Sequence, residues 1–566
     1  MKKTDLTPEW RLAELYRKIP ARTILFIMAF ALFPQMLKSE EKKPNILFIV
    51  SDDQGWGDLP ENWDKTEVKM PVLDGLAKSG VRFSNYHTEP LCGPSRACMF
   101  TGQYSMENGM WRGPGKTAVP GDKGYRGIKR DVKMLSEHLS ESGYATGAFG
   151  KWHMGGVKGE LPNDRGFDEW RGFLSGAHSY WIQKKKSNIV HNGKKDESEG
   201  HATDLFTQWA EGFIRKNASK NKPFFCYLAY NAVHGPLRID KSKPASAPKE
   251  WVDKALKRGV SFLRSDYVAI LEHMDHNIGK LVKLLDELGI KENTLIVFVS
   301  DNGGCTMHGT KKGKFPGNNG PFRGSKATTY QGGLNVPFLM NWKGKLPSGM
   351  VSDDHVMHCD VFATLLDAAG IPVPKTSGKN PVRGMSLMSH MLSSGKESIP
   401  ERTMIFELWG NIGLRKGNYK LWAEIKSNKA DWKEHVTELK QTDLELFDLS
   451  KDIGEKSDLR TEQPEVYASL KKELIEYFDN INDEYPIPEG ASPGDKEKEV
   501  KKVTKKDDSA ASKRDAQFSR RDKNKDGKLS YKEFIVKPER GTEKTKQTFE
   551  RRDTNKDGSL TLEEYK

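Results

Sequence analysis

The stretch Lys43-Pro44-Asn45-Ile46-Leu47-Phe48-Ile49-Val50-Ser51-Asp52-Asp53 joins an unbroken apolar run to two adjacent carboxylates. An apolar run without polar alternation suits a strand buried on both faces of a parallel sheet. Asp52 and Asp53 then leave that strand together. A turn or helix cap needs only one Asp. Two carboxylates beside a buried strand require a cation or a dense shell of hydrogen bonds.

The arrangement recurs downstream. Residues 144–150 lead into Lys151-Trp152-His153, residues 223–230 lead to His234, and residues 294–299 lead to Ser300-Asp301-Asn302. Helical segments alternate with these strands at 70–79, 132–142, 204–215 and 265–288. Strands alternating with helices specify an α/β fold, a mostly parallel sheet flanked by helices. The C-terminal ends of such strands share one edge, where ligands bind. Polar residues released after four strands therefore converge on one crevice. Residues 81–86 read as a further strand, 336–340 as a short one, and 355–369 as a helix.

Between the first two of these strands lies Cys92-Gly93-Pro94-Ser95-Arg96-Ala97-Cys98-Met99-Phe100-Thr101-Gly102. Pro94 is expected at the first helical position. Cys92 would then stand just ahead of a helix N-terminus, where backbone N–H groups favour an anion. Arg96 adds fixed positive charge. A lone Cys is more often a buried apolar residue, but the whole pattern is far less common. It resembles the signature of the formylglycine-dependent (type I) sulfatases: Cys-x-Pro-Ser-Arg, then small residues and Thr-Gly.

The resemblance covers residues 44–485 and implies an alkaline-phosphatase-like α/β core. It also implies that a formylglycine-generating enzyme oxidises Cys92 to formylglycine. The hydrate of that aldehyde offers one hydroxyl to attack sulfur and a second whose deprotonation releases sulfate. Asp52, Asp53, Asp301 and Asn302, with the modified Cys92, are the implied ligands of one divalent cation. Hard oxygens suit calcium, with magnesium as the alternative. Lys151 and Lys326 are the implied sulfate clamps, and Arg96 orients the hydrate. His234 is the implied acid for the leaving alcohol, and His153 the base for the second hydroxyl. Two positions depart from the family pattern: Gln331 stands where an acid is common, and Asn335 where Arg or Lys is common.

From about residue 400 the texture changes to short strands at 403–407, 413–415, 419–422 and 445–449, then a helix over 464–480. This reads as a small antiparallel sheet subdomain with one helix, over 400–485. Residues 486–514 are Lys/Asp/Glu/Ser-rich and are expected to be a disordered linker. Residues 515–566 contain an internal repeat. The sets Asp522, Asn524, Asp526, Lys528, Ser530, Glu533 and Asp553, Asn555, Asp557, Ser559, Thr561, Glu564 both match the calcium loop of an EF-hand, with Gly527 and Gly558 at the turn. An α-helical EF-hand pair is the expected tail, with Leu529 and Leu560 pairing across a short ribbon. A surface or protein partner is its expected use.

Residues 1–22 carry several Lys and Arg, and residues 24–33 are apolar. That run is short for a membrane span and reads as a secretory signal over 1–40, with a retained anchor as the alternative. The protein is then exported: periplasmic, cell-surface or secreted. A net charge of +13 over 566 residues suits a polyanionic partner. A sulfated carbohydrate is the expected substrate, and no nucleic-acid-binding motif is present. The catalytic domain is expected over 44–399. The five Cys are scattered without metal-ligand spacing and exclude a disulfide-scaffolded fold. Competing functions are a phosphatase or phosphodiesterase of the same superfamily, a non-catalytic anion binder, and a calcium sensor.

Overall fold

The computed structural model describes residues 42–484, apart from 112, 114, 117–124, 185–186, 236, 238–243, 307–315 and 426–431. Beyond 484 it describes residues 526, 528–530, 546, 549–550, 552–553 and 555–561. The expected signal over 1–40 and linker over 486–514, with Asp522, Asn524, Glu533 and Glu564, lie outside these residues. Two compact units divide the chain near residue 486.

The first unit is built on a ten-stranded sheet. Its labelled strands are β1 (Asn45–Ser51), β2 (Val81–Phe83), β3 (Ala145–Lys151), β4 (Glu169–Phe173), β5 (Phe224–Ala229), β6 (Thr294–Ser300), β7 (Phe338–Asn341) and β8 (Met350–Ser352). They lie in the order β4-β3-β5-β1-β6-β7-β2-β8, and two short strands, Val190–His191 and Lys194–Lys195, extend the β4 edge. The five strands from β4 to β6 are mutually parallel, and β7 runs against them.

Side-chain alternation sorts each central strand onto two layers. Leu47 and Ile49 of β1 pack with α1 (Pro71–Lys78), α3 (Ala202–Ala218) and α4 (Phe262–Glu287). Ile46, Phe48 and Val50 pack with α2 (Cys92–Thr101) and α5 (Cys359–Ala368). Both faces are covered, which is why β1 shows no polar alternation. Each fully buried Ile, Leu or Phe contributes roughly 1.5–3 kcal/mol.

Two expected elements differ. The strand expected over 81–86 is broken: β2 sits near the far edge, and Tyr86–His87 pairs instead with Val356–Met357. The helix expected over 355–369 therefore starts only at Cys359. Apolar residues on both sides of the break made each look continuous.

The C-terminal part of this unit is an antiparallel meander of β9 (Thr403–Leu408), β10 (Asn411–Lys416), β11 (Tyr419–Glu424) and β12 (Glu445–Asp448). It has two helices rather than the one expected, α6 (Trp432–Gln441) and α7 (Pro464–Glu484). Val436 and Leu439 of α6 are buried, but the polar composition around them hid the pattern. Polar contacts join the meander to the helices and loops around the main sheet. Arg402 pairs with Asp360, Tyr104 donates to the Thr403 carbonyl at 3.0 Å, and Arg323 donates to the Glu455 carbonyl at 2.6 Å.

In the second unit, β13 (Lys528–Ser530) and β14 (Ser559–Thr561) pair antiparallel, with Leu529 opposite Leu560 and both side chains buried. The Asp553 carboxylate accepts from the Asp557 and Gly558 amides at 3.2 and 2.9 Å. Asp557 accepts from the Ser559 amide and hydroxyl at 2.9 and 2.7 Å. Among the described residues no helix is long and apolar enough to cross a membrane.

Candidate active site

The four central strands bring the polar residues together because their backbone ladder continues past their ends. The Asp52 amide donates to the Ala232 carbonyl at 2.7 Å, and the Val233 amide donates to the Asp52 carbonyl at 2.6 Å. The Asp301 amide donates to the Ser51 carbonyl at 3.1 Å. Asp52, Asp53, His234 and Asp301 are thus fixed by adjacent strands rather than by free loops. Asp53 and His153 both hold positive φ, 63° and 57°. That backbone region is unfavourable for side-chain-bearing residues and is retained where the surroundings over-determine it.

Three buried ion pairs define the floor. Lys151 Nζ lies 2.6 Å from Asp52 Oδ2, with both side chains fully buried. Lys326 Nζ lies 2.5 Å from Asp53 Oδ1. Arg96 Nε donates to Asp301 Oδ2 at 2.9 Å, and Nη2 lies 2.8 Å from the same oxygen. Asn302 Nδ2 donates to Asp53 Oδ1 at 2.8 Å, and His234 Nε2 stands 3.8 Å from Asp53 Oδ2. Burial works to raise the Asp53 carboxyl, but Lys326, His234 and Lys151 together hold it well below the usual carboxylate range. Burial raises Asp301, and the neighbouring Asp52 adds to this.

The nucleophile helix begins two residues earlier than the sequence suggests. α2 starts at Cys92 itself, so Pro94 is its third residue, not its first. Leu91, the N-cap residue, supplies no side-chain cap. Cys92 therefore occupies the positive end of the helix dipole directly. Its Sγ lies 3.2 Å from His153 Nδ1. Burial opposes ionisation of this thiol, yet Lys151 and Lys326 outweigh it and lower its pKa. Burial, then Lys151 and Arg96, push His153 well below the ordinary imidazole value. His153 is thus neutral at Cys92.

Several supporting residues escaped sequence reading. Tyr227 OH accepts from Arg96 Nη1 at 3.1 Å, and the Lys151 carbonyl accepts from the same nitrogen at 3.2 Å. Tyr227 sits inside an apolar strand, where only its hydroxyl hinted at a partner. Gly176 backs His153: a Cβ there would lie 2.8 Å from Nε2. Asp58 braces the loop that follows Asp53. It accepts from Tyr267 OH at 2.6 Å, Arg264 Nη2 at 2.8 Å and the Gly55 amide at 3.2 Å.

The two departures from the family pattern fall away from this cluster. Gln331 Oε1 lies 2.9 Å from His87 Nε2 and accepts from Arg415 Nη1 at 3.0 Å. It links the Tyr86–His87 strand to β10. Asn335 Nδ2 donates to the Ser84 carbonyl at 3.2 Å.

Whether the site fits a cation is answered by its oxygens. Asp52 Oδ1 and Asn302 Oδ1 are buried without a hydrogen-bond partner. One ligand atom each of Asp52, Cys92 and Asp301 lies within 4.8 Å of the others. The lysines hold other oxygens of the Asp52 and Asp53 carboxylates. Three cations (Arg96, Lys151, Lys326) balance three carboxylates (Asp52, Asp53, Asp301), so a divalent cation would leave the cluster with the positive charge an anionic ester needs. The residues fit.

An alkaline-phosphatase-like sheet with a Cys-x-Pro-Ser-Arg helix at this edge defines a sulfuric ester hydrolase. The model of the Sulfatase family matches residues 44–371. That of the N-sulphoglucosamine sulphohydrolase C-terminal region matches 324–482, and that of the EF hand matches 514–536 and 545–566. The chain is 31% identical to N-acetylgalactosamine-6-sulfatase of Mus musculus over 468 residues, 76% of this chain and 84% of that protein. Arylsulfatase J of Mus musculus is 30% identical over 347 residues, 59% of this chain and 54% of that one. The crystal structure of Ps i-CgsB in complex with k-i-k-neocarrahexaose superposes with a TM-score of 0.65 at 29% identity, covering 77% of this chain and 93% of that one. The PsFucS1 sulfatase from Pseudoalteromonas sp. shares the fold, with a TM-score of 0.64 at 22% identity, over 81% of this chain and 95% of that one. The chain belongs to the sulfatase family and carries an EF-hand segment at its C-terminal end.

Proposed function

We propose that the protein is an exported sulfatase that removes sulfate from a sulfated carbohydrate, using Cys92 as formylglycine and one divalent cation, calcium by its hard-oxygen ligand set. The carrying observation is Cys92 Sγ, 3.2 Å from a neutral His153, among Lys151, Lys326 and three carboxylates. When present, the formylglycine hydrate supplies the nucleophilic hydroxyl, and the cation, held by Asp52, Asp53, Asp301 and Asn302, supplies Lewis acidity.

The remaining work falls to side chains. Lys151 and Lys326 each keep N–H donors beyond the one used on Asp52 or Asp53, and these would serve the sulfate oxygens. Arg96 holds Asp301 in place. His234 Nδ1 lies 2.6 Å from the Gly235 carbonyl. A carbonyl only accepts, so Nδ1 bears hydrogen and Nε2 is the atom that exchanges a proton. Nε2, 3.8 Å from Asp53 Oδ2 at the edge of the crevice, is therefore the atom assigned to give a proton to the leaving alcohol. His153, kept neutral, accepts the proton whose loss releases sulfate.

The carbohydrate class is supported by the relatives, named for N-acetylgalactosamine-6-sulfate and crystallised with a neocarrahexaose. The EF-hand tail is proposed to bind calcium and a surface or protein partner. The test is sulfate release from an aryl sulfate and from sulfated oligosaccharides by protein co-expressed with a formylglycine-generating enzyme, with the aryl phosphate as comparison. Preference for the phosphate would favour a phosphatase and overturn the proposal.

A further inference from the structure

Cys98, His358, Cys359 and Glu89 form a second cluster, directly behind the nucleophile motif. Cys98 is on α2, six residues from Cys92. Cys359 is the first residue of α5, and His358 is its N-cap. Glu89 lies in the segment before α2. All four side chains are fully buried. Distant in sequence, they show no ligand spacing and become a set only when α2 packs on α5.

The donor atoms lie close enough for small side-chain shifts to close them around one ion. One ligand atom each of Cys98, His358 and Cys359 lies within 4.8 Å of the others. Glu89 Oε1 is 3.9 Å from Cys98 Sγ and 3.7 Å from His358 Nε2. An ion bound at about 2.3 Å to sulfur and about 2.0 Å to nitrogen and oxygen sets its ligands roughly 3.3–3.8 Å apart. His358 Nδ1 and Nε2 and Glu89 Oε2 are buried without hydrogen-bond partners. An apolar role explains neither a buried imidazole with both nitrogens unmatched nor the carboxylate beside it.

The surroundings supply the support such ligands require. Ser105 Oγ donates to Glu89 Oε1 at 2.7 Å. Asn108 Nδ2 donates to Cys98 Sγ at 3.8 Å; without an ion, burial and then Cys359 hold this thiol well above its ordinary value. Ser95 Oγ, inside the nucleophile motif, donates to the Glu89 carbonyl at 2.9 Å.

We infer that Cys98, Cys359, His358 and Glu89 bind one thiophilic divalent cation of the zinc class, joining α2 to α5 behind Cys92. Two thiolates and one imidazole select zinc or cobalt over calcium and magnesium. The site is closed, so its role is structural. Binding releases both thiol protons to solvent. It is separate from the catalytic cation, whose ligands are oxygens.

The test uses the full-length chain with Cys92→Ala, so that no active-site thiol contributes, expressed in zinc- or cobalt-supplemented medium and dialysed against EDTA. One zinc per chain should survive dialysis. The cobalt form should show thiolate-to-metal charge transfer with tetrahedral ligand-field bands. Cys98→Ala and His358→Gln should each lower retained zinc more than about tenfold. The cobalt spectrum of the chain with its four ligands intact needs no further variant to fold. Absence of the charge-transfer band overturns the inference. So does zinc retention unchanged in Cys98→Ala, or a peptide map in which Cys98 and Cys359 are joined as a disulfide.

Discussion

Arg96 and Asp301 face each other with both side chains fully buried, and Arg96 Nη2 lies 2.8 Å from Asp301 Oδ2. The pair links the nucleophile helix to the end of β6. Removing one partner strands the other charge in the interior, at a cost of about 3–5 kcal/mol. Arg96→Met should therefore lower the thermal midpoint strongly and abolish turnover. Arg96→Lys should not restore either, because an ammonium cannot reach Asp301, Tyr227 and the Lys151 carbonyl at once. Scanning calorimetry and an aryl sulfate assay check both. A Lys variant with wild-type stability and rate would contradict this reading of the pair.

His234→Ala should slow alkyl (sugar) sulfates by about 10²–10⁴-fold, and aryl sulfates with acidic phenols far less. Only a poor leaving group needs a proton in the transition state. Parallel kinetics on the two substrate types decide it; equal losses would rule out the acid role.

Asp52→Ala should lose the active-site cation and most activity, since Asp52 Oδ1 is a buried oxygen without a hydrogen-bond partner. It also leaves Lys151 buried without its counter-ion. Elemental analysis after truncation at residue 486, which removes the EF-hand loops, should show about one fewer cation per chain than the same truncated protein with Asp52 intact. Equal metal content would refute the ligand assignment.

Much of the site was legible because strand ends are marked in sequence: an apolar run terminates and Asp, Lys, His or Asn follows. Asp52, Lys151, His234 and Asp301 are all of this kind. Tyr227 and Asp58 were not legible, since their partners come from elements distant in the chain. The break between β2 and Tyr86–His87 was hidden for the same reason: pairing depends on where Val356–Met357 lies, and local propensity does not carry that. α6 was missed because charged residues surround Val436 and Leu439.

His201 is buried, and burial, then the neighbouring His273, lower its pKa from 6.5 to about 4. Between those values the unfolded chain binds more protons than the folded one, so stability falls as pH falls from about 6.5 to about 4, by up to about 3 kcal/mol. His201→Gln should show a smaller drop in thermal midpoint from pH 7 to pH 4.5 than the wild type. An identical drop would show that His201 does not contribute.

Truncation at residue 486 should leave turnover of a small sulfate ester unchanged when the catalytic cation is saturating, while a calcium-dependent change in circular dichroism is lost. A large fall in turnover would mean that the tail takes part in the chemistry.

The central claim is that Cys92 acts as formylglycine, and peptide mass analysis of active enzyme tests it most directly. In protein co-expressed with a formylglycine-generating enzyme, the Cys92 peptide should lose one sulfur and two hydrogens and gain one oxygen, in proportion to the sulfatase activity of each preparation. Full turnover of a sulfate ester by protein whose Cys92 is entirely an unmodified thiol would contradict the account.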